Sequence, residues 1–102
     1  MAKNRTKAES KHMDNVASLG CVICLNLGYG YSPATIHHCG THMGGGRTHQ
    51  RVLPLCPEHH QGREGIDGKA MGKRQWEMKY GTERDLLSQV ELLLQEQERL
   101  KV

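Results

Sequence analysis

The spacing of cysteine and histidine residues is the feature that most constrains what this chain can fold into. Cys21 and Cys24 form a CxxC pair, and Cys56 and His59 form a CxxH pair. Two pairs at this spacing can supply four ligands in two knuckles, which suits a tetrahedral zinc ion. With 102 residues, no Phe and one Trp, most of the chain offers little apolar core and needs such a staple. We therefore predict one structural zinc ion bound by these four residues.

The same cysteines could instead form disulfides or a redox site. The opening segment MAKNRTKAESKH is polar, so we expect no signal peptide. No stretch approaches transmembrane length, and we expect no membrane contact. A cytosolic protein keeps its thiols reduced, which favours metal binding over disulfides. No βαβ pattern surrounds the CxxC, which disfavours a thioredoxin-like site.

Charge is unevenly distributed along the chain. Residues 1–82 carry eleven Lys and Arg against six Asp and Glu, whereas residues 83–102 carry three against five. A basic body with an acidic tail is compatible with a nucleic-acid partner. The alternative is an ordinary soluble surface, which the charge totals alone favour.

Hydrophobic periodicity and chain-breaking residues divide the chain into short elements. They predict a helix at residues 8–19, short strands at 34–39 and 51–55, and a short helix that begins near Pro57. One or two helical turns follow at 73–80, and a long final helix covers 83–100. Pro54 favours an edge position for the second strand. The glycine-rich segment between the strands, GTHMGGGRTHQ, is predicted to be a flexible loop.

The final helix is the clearest element. Thr82 can cap it, with Asp85 three residues later. An apolar stripe at helical spacing comprises Leu86, Leu87, Val90, Leu93 and Leu94. We interpret this helix as a packing element, with a dimer interface as the alternative.

Several histidines remain once the zinc set is assigned. On a helix starting near Pro57, adjacent residues point about 100° apart, so His60 faces away from the site that His59 completes. His37 and His38 lie on the first strand candidate, where successive side chains alternate between faces. If the second strand returns beside the first, His60 comes near this group. A purely structural role for His37 and His38 is the alternative.

The segments IHHC (36–39), RVLPLC (51–56) and CPEHH (56–60) resemble the HNH nuclease motif, the ββα-metal finger. His59 stands where that family more often has Cys. With HMDNVASLGCVIC and QWEMKYGTERDLL, the chain is also similar to the phage recombination-enhancement (Ref) nucleases over roughly residues 10–95. Their best-known member cuts DNA within a RecA filament and has a basic, disordered N-terminal extension. The short polar N-terminus here argues against strict RecA dependence.

This resemblance implies a small, zinc-stabilised α+β fold. It is a treble-clef-like ββα-metal finger flanked by an N-terminal helix and a long C-terminal helix. We expect a disordered polar N-terminus over residues 1–7 and a single HNH nuclease domain over residues 8–102. The zinc knuckles and ββα core occupy residues 21–65, and the C-terminal helix occupies residues 83–100.

The resemblance also implies roles for individual residues. His38 matches the general base that activates water. His37 and His60 match ligands of a catalytic divalent metal, which could be Mg²⁺, Mn²⁺ or Zn²⁺. Cys21, Cys24, Cys56 and His59 match the structural zinc set. The middle Asn of the motif has no direct match, and Arg51 occupies the nearest aligned position. We assign the middle role, orienting the base or acting as a third metal ligand, to His49, two residues upstream.

Three arginines, Arg47, Arg51 and Arg63, could contact DNA phosphates. The leading hypothesis is an HNH endonuclease that hydrolyses DNA phosphodiester bonds in phage or prophage recombination, in the cytoplasm of a bacterial host. A RecA-type filament is a possible partner. One alternative is a non-catalytic zinc module that binds DNA or a recombination protein. Another is an interaction protein that dimerises through its C-terminal helix.

Overall fold

Helices surround a two-stranded antiparallel sheet in the computed structural model, which describes residues 7–39 and 51–100. The elements are α1 (Lys7–Ser18), α2 (Val22–Asn26), β1 (Thr35–His38), β2 (Val52–Leu55), α3 (Pro57–His60), α4 (Lys73–Tyr80) and α5 (Glu83–Leu100). The predicted small α+β composition is confirmed. The predicted glycine loop and all but the last residue of the predicted disordered segment 1–7 lie outside the described residues, while Lys7 already belongs to α1.

The sheet pairs the two strands that the sequence predicts. Ile36 lies opposite Pro54, and His38 lies opposite Val52. Each strand of a two-stranded sheet has one edge without a partner strand. Proline is tolerated on such an edge, where its missing N–H costs no ladder bond. All four β2 residues are buried, and both α1 and α5 contact this strand. The core is therefore built around β2.

The N-terminal helix α1 leads directly into the segment that carries Cys21 and Cys24. Met13 and Val16 of α1 are buried, and Gly20 follows the helix with φ of 82°, a conformation that favours glycine. A Cβ atom at Gly20 would also lie 2.7 Å from the ring of Tyr31. The chain reverses here and enters α2, a five-residue helix that the sequence patterns did not predict.

The C-terminal half packs two helices against this core. Trp76 of α4 is fully buried, and its indole Nε1–H donates to the Glu64 carbonyl oxygen at 2.9 Å. The predicted cap of α5 is confirmed, since the Asp85 N–H donates to Thr82 Oγ1 at 3.0 Å. Leu86 and Val90 are buried. No helix in the described ranges is long and apolar enough to cross a membrane.

Candidate metal centres

A first cluster, the Cys₃His cluster, consists of Cys21, Cys24, Cys56 and His59, as the sequence spacing predicts. One ligand atom from each lies within 4.8 Å of all the others. Cys21 precedes α2 as its N-cap and accepts a hydrogen bond from the Cys24 N–H at 3.4 Å. Cys56 immediately precedes α3, whose first residue is Pro57. Two short helix starts thus present the ligands, which are all buried.

The distances in the Cys₃His cluster fit one tetrahedral ion. Around zinc, ideal tetrahedral geometry separates two sulfur ligands by about 3.8 Å and a sulfur from a nitrogen by about 3.6 Å. Cys24 Sγ lies 3.8 Å from Cys56 Sγ. His59 Nδ1 lies 3.7 Å from Cys21 Sγ, 3.7 Å from Cys24 Sγ and 3.2 Å from Cys56 Sγ. This cluster can therefore hold a metal ion without rearrangement of the backbone.

Burial shifts the protonation of this cluster in both residue types. It raises the pKa of the Cys21 thiol to about 11. Burial also lowers the pKa of His59, which keeps the imidazole neutral and able to act as a ligand. A cation that binds here must displace thiol protons, so binding releases acid.

A second cluster, the His₂Asp cluster, consists of His37 on β1, His60 on α3 and Asp67. His37 Nδ1 lies 3.1 Å and His60 Nε2 lies 3.2 Å from the same oxygen, Asp67 Oδ2. Two ligands of one ion, each about 2.1 Å from it, lie about 2.9 to 3.4 Å apart. The donor set and its spacing therefore fit a divalent metal ion.

Hydrogen bonds fix the tautomer of His60 so that its lone pair points at Asp67. The Thr35 hydroxyl donates to the Leu55 carbonyl oxygen at 3.1 Å. Having given its only hydrogen, Thr35 Oγ1 must accept from His60 Nδ1–H at 2.9 Å. The lone pair of the neutral ring is then on Nε2. Burial, together with repulsion from His37, lowers the pKa of His60 against the opposing effect of Asp67.

A carboxylate that the sequence analysis missed makes the matching contact on His37. Glu83, the first residue of α5, has Oε2 at 2.7 Å from His37 Nε2. Burial alone would raise the pKa of Glu83, but hydrogen bonds from His37 and Lys73 lower it. An ionised carboxylate can only accept, so Nε2 carries a hydrogen, and Nδ1 is the nitrogen left for a metal ion. His37 Nδ1 and His60 Nε2 thus both face Asp67 Oδ2, and a cation bound between them would take the place of the protons that otherwise bridge these contacts.

Asp67, also missed, reaches the cluster because the chain turns back tightly after α3. The Asp67 N–H donates to the His60 carbonyl oxygen at 2.8 Å. A Cβ atom on Gly65 would lie 2.7 Å from the backbone nitrogen of Gln61, and one on Gly68 would overlap the Gly62 carbonyl oxygen. Only glycine fits this return.

The remaining predicted residues lie in different surroundings. His38 is half-buried next to His37 on β1, and Arg51 and Arg63 are exposed. The residues Arg47 and His49, with His42, lie outside the described residues. Cys39, the residue after β1, is 2% exposed, and burial raises its thiol pKa to about 12.

Fold and clusters together define a small α+β protein with two candidate metal sites. Over residues 5–95 its sequence matches the family described as recombination enhancement, RecA-dependent nuclease. The chain therefore belongs to this family, and the predicted Ref-like family is confirmed. The family description implies a nucleic-acid substrate and a functional link to RecA. This link differs from the expectation, stated above, that the protein does not depend strictly on RecA. A comparison with curated proteins found no match.

Proposed function

We propose that this protein is a metal-dependent DNA endonuclease of the HNH class that acts in RecA-linked recombination. The observation that carries the proposal is the His₂Asp cluster, in which two histidine ring nitrogens converge on one carboxylate oxygen. The order β1, β2, α3 agrees with a ββα-metal finger, and we assign its ligand positions to His37 and His60. The family description supports the nuclease activity and the link to RecA.

In this proposal His37, His60 and Asp67 hold the catalytic divalent metal. When bound, such an ion stabilises charge on the scissile phosphate and on the leaving 3′ oxygen. His38 takes the proton from the attacking water on an imidazole nitrogen, because histidine titrates near neutral pH. Exposed Arg51 and Arg63 contact neighbouring phosphates, and Arg47 and His49 keep their proposed roles in DNA binding and in orienting the base.

The Cys₃His cluster has a structural role in the same proposal. Its four ligands are buried and complete a tetrahedron, which is the pattern of structural zinc rather than of a site open to substrate. Its thiols need a reducing compartment, which supports the cytoplasm of a bacterial cell, with a phage or prophage as the source of the gene.

A supercoiled-plasmid nicking assay tests the proposal. Zinc-loaded protein is incubated with Mg²⁺ or Mn²⁺ on naked DNA and on DNA covered by a RecA filament. The wild type is expected to nick at least one form, and His38→Ala to lose about 100-fold or more of the rate while keeping its zinc. His12→Ala, a histidine change on α1, is the matched control and should cut like the wild type. Failure of the metal-loaded wild type to cut either form contradicts the proposal.

One observation favours a second candidate, a non-catalytic zinc module that binds DNA or a recombination protein. His37 is only 5% exposed and has a carboxylate on each ring nitrogen, as a purely structural histidine can have. Binding of DNA that survives loss of His38 and His60, with no cleavage by the wild type on naked or RecA-coated DNA, selects this alternative.

A further inference from the structure

We propose that Glu83 is a positioning residue of the His₂Asp cluster, which holds His37 in the tautomer that can bind metal. This inference rests on the proposed metal site and adds to it a residue from the C-terminal helix α5. Glu83 and His37 are 46 positions apart in the sequence. Glu83 does not contact the proposed metal itself.

The contact between Glu83 and His37 has the geometry of a hydrogen bond. Glu83 Oε2 lies 2.7 Å from His37 Nε2, and the residues are 8% and 5% exposed, respectively. In the interior a charge-assisted hydrogen bond is strong, and the imidazole cannot turn over without losing it. With Nε2–H directed at Glu83, the Nδ1 lone pair is directed at Asp67 Oδ2, 3.1 Å away. Carboxylates that orient metal-binding histidines in this way also raise their basicity.

Glu83 is itself held in place by α4. Its backbone N–H donates to Glu77 Oε2 at 2.8 Å, and Lys73 Nζ lies 3.2 Å from its second oxygen, Oε1. Its position in the first turn of α5 favours the negative charge. Leu86, one turn further along α5, is buried in the core. The backbone of Glu83 and its second carboxylate oxygen are therefore both held by α4.

A second reading of this contact makes Glu83 a metal ligand. His37, Cys39 and Glu83 also have ligand atoms within 4.8 Å of one another. However, 2.7 Å is shorter than the separation of about 2.9 to 3.4 Å between two ligands of one ion. All three residues are buried, which leaves no open position for water or phosphate. The hydrogen-bonded role therefore fits this side of His37 better than metal coordination does.

Two measurements on zinc-loaded protein test the proposal. The first is ¹⁵N NMR of the His37 ring without added Mn²⁺, which should show the proton on Nε2 in the wild type. In Glu83→Gln the amide can donate as well as accept, so the Nδ1–H tautomer should appear. The second is calorimetric titration with Mn²⁺, in which Glu83→Gln should bind about 10- to 100-fold more weakly.

Lys79→Met is the matched control, because it removes another ion pair of α4, in which Lys79 Nζ lies 2.8 Å from Glu64 Oε1, and leaves Glu83 and its bond to His37 untouched. It should not weaken Mn²⁺ binding, and all variants should retain one zinc ion. A wild-type proton on Nδ1, absence of Mn²⁺ binding to the wild type, or equal affinity in Glu83→Gln would overturn the proposal. A protein that passes both measurements but never nicks DNA contradicts the nuclease function alone and leaves the role of Glu83 intact.

Discussion

Two adjacent histidines of α3 serve different clusters. His59 directs Nδ1 into the Cys₃His cluster, and His60 directs Nε2 at Asp67. Sequence reasoning reached this division from the angle between neighbouring helix positions, because both ligands lie within one short helix whose start is marked by Pro57. Local geometry of that kind is readable from the sequence.

Single substitutions should separate the two histidines. His59→Ala should lose the first metal ion and most of the thermal stability, because it opens the buried tetrahedron. His60→Ala should keep the first ion and shift Tm little, since its ring lies at the partly exposed cluster. Metal analysis and thermal unfolding measure both effects. Equal zinc loss in the two variants would contradict the assignment.

The pKa of His60 gives a pH prediction. Burial and the nearby His37 lower it below the usual 6.5, so the folded protein binds the proton less readily than the unfolded chain. Stability contributed by this residue should therefore fall as pH drops through 6.5 and below. NMR titration of the His60 ring without a second-site metal should give a midpoint below 6.5, and a midpoint above that value would contradict the prediction.

At the scale of elements, α5 is a packing helix whose outer face differs from its inner face. Leu86 and Val90 are buried, whereas Leu92 and Leu100 are 65% and 75% exposed. A truncation that ends near Tyr80 would remove core residues as well as the exposed face. Self-association, the alternative role of α5, would use the exposed face, and substitution of Leu92 tests it without damage to the core.

Two leucines of α5 should respond differently to truncation. Leu86→Ala should reduce the free energy of unfolding by about 2 to 5 kcal/mol, because it leaves a cavity beside β2. Leu92→Ala should change it by less than about 0.5 kcal/mol, as is usual for surface positions. Urea unfolding monitored by circular dichroism measures both values. A comparable loss from Leu92→Ala would show that its face is covered in solution, and sedimentation would then reveal the dimer.

Elements with a strong local signal were predictable, and long-range contacts were not. The cap at Thr82 and the strand pair followed from patterns a few residues long. The short α2 did not, because it is fixed by Cys21 and the turn at Gly20. Asp67 depends on a glycine-permitted return of the chain, and Glu83 depends on how α5 docks against β1. Neither position has a signature in its own neighbourhood.

At the scale of the whole molecule, the Cys₃His cluster joins segments that are far apart in sequence. Cys24 and Cys56 are separated by 32 positions. Binding of structural zinc contributes about 10 to 16 kcal/mol in small zinc domains, which is comparable with a total stability of about 5 to 15 kcal/mol. In the proposed function, a domain of this size without disulfides depends on the ion of this cluster for its stability.

Removal of metal should unfold the protein. A strong chelator is expected to abolish the cooperative thermal transition and much of the helical circular dichroism signal, and added Zn²⁺ should restore both. Cys24→Ala should behave like chelated protein, whereas Cys39→Ala, a cysteine outside the Cys₃His cluster, should keep its ion and its transition. An unchanged thermal transition in Cys24→Ala would show that metal binding at the Cys₃His cluster does not stabilise the fold.

The four-residue α3 carries ligands of both clusters, and this shared position has a consequence for the newly made polypeptide. In the proposed function, α3 cannot hold His60 in a fixed position until a metal ion has bound at the Cys₃His cluster. In the proposed function, zinc supply then acts as a maturation checkpoint. Newly synthesised protein then cannot cut the host chromosome, and nuclease activity appears only in molecules that have bound zinc.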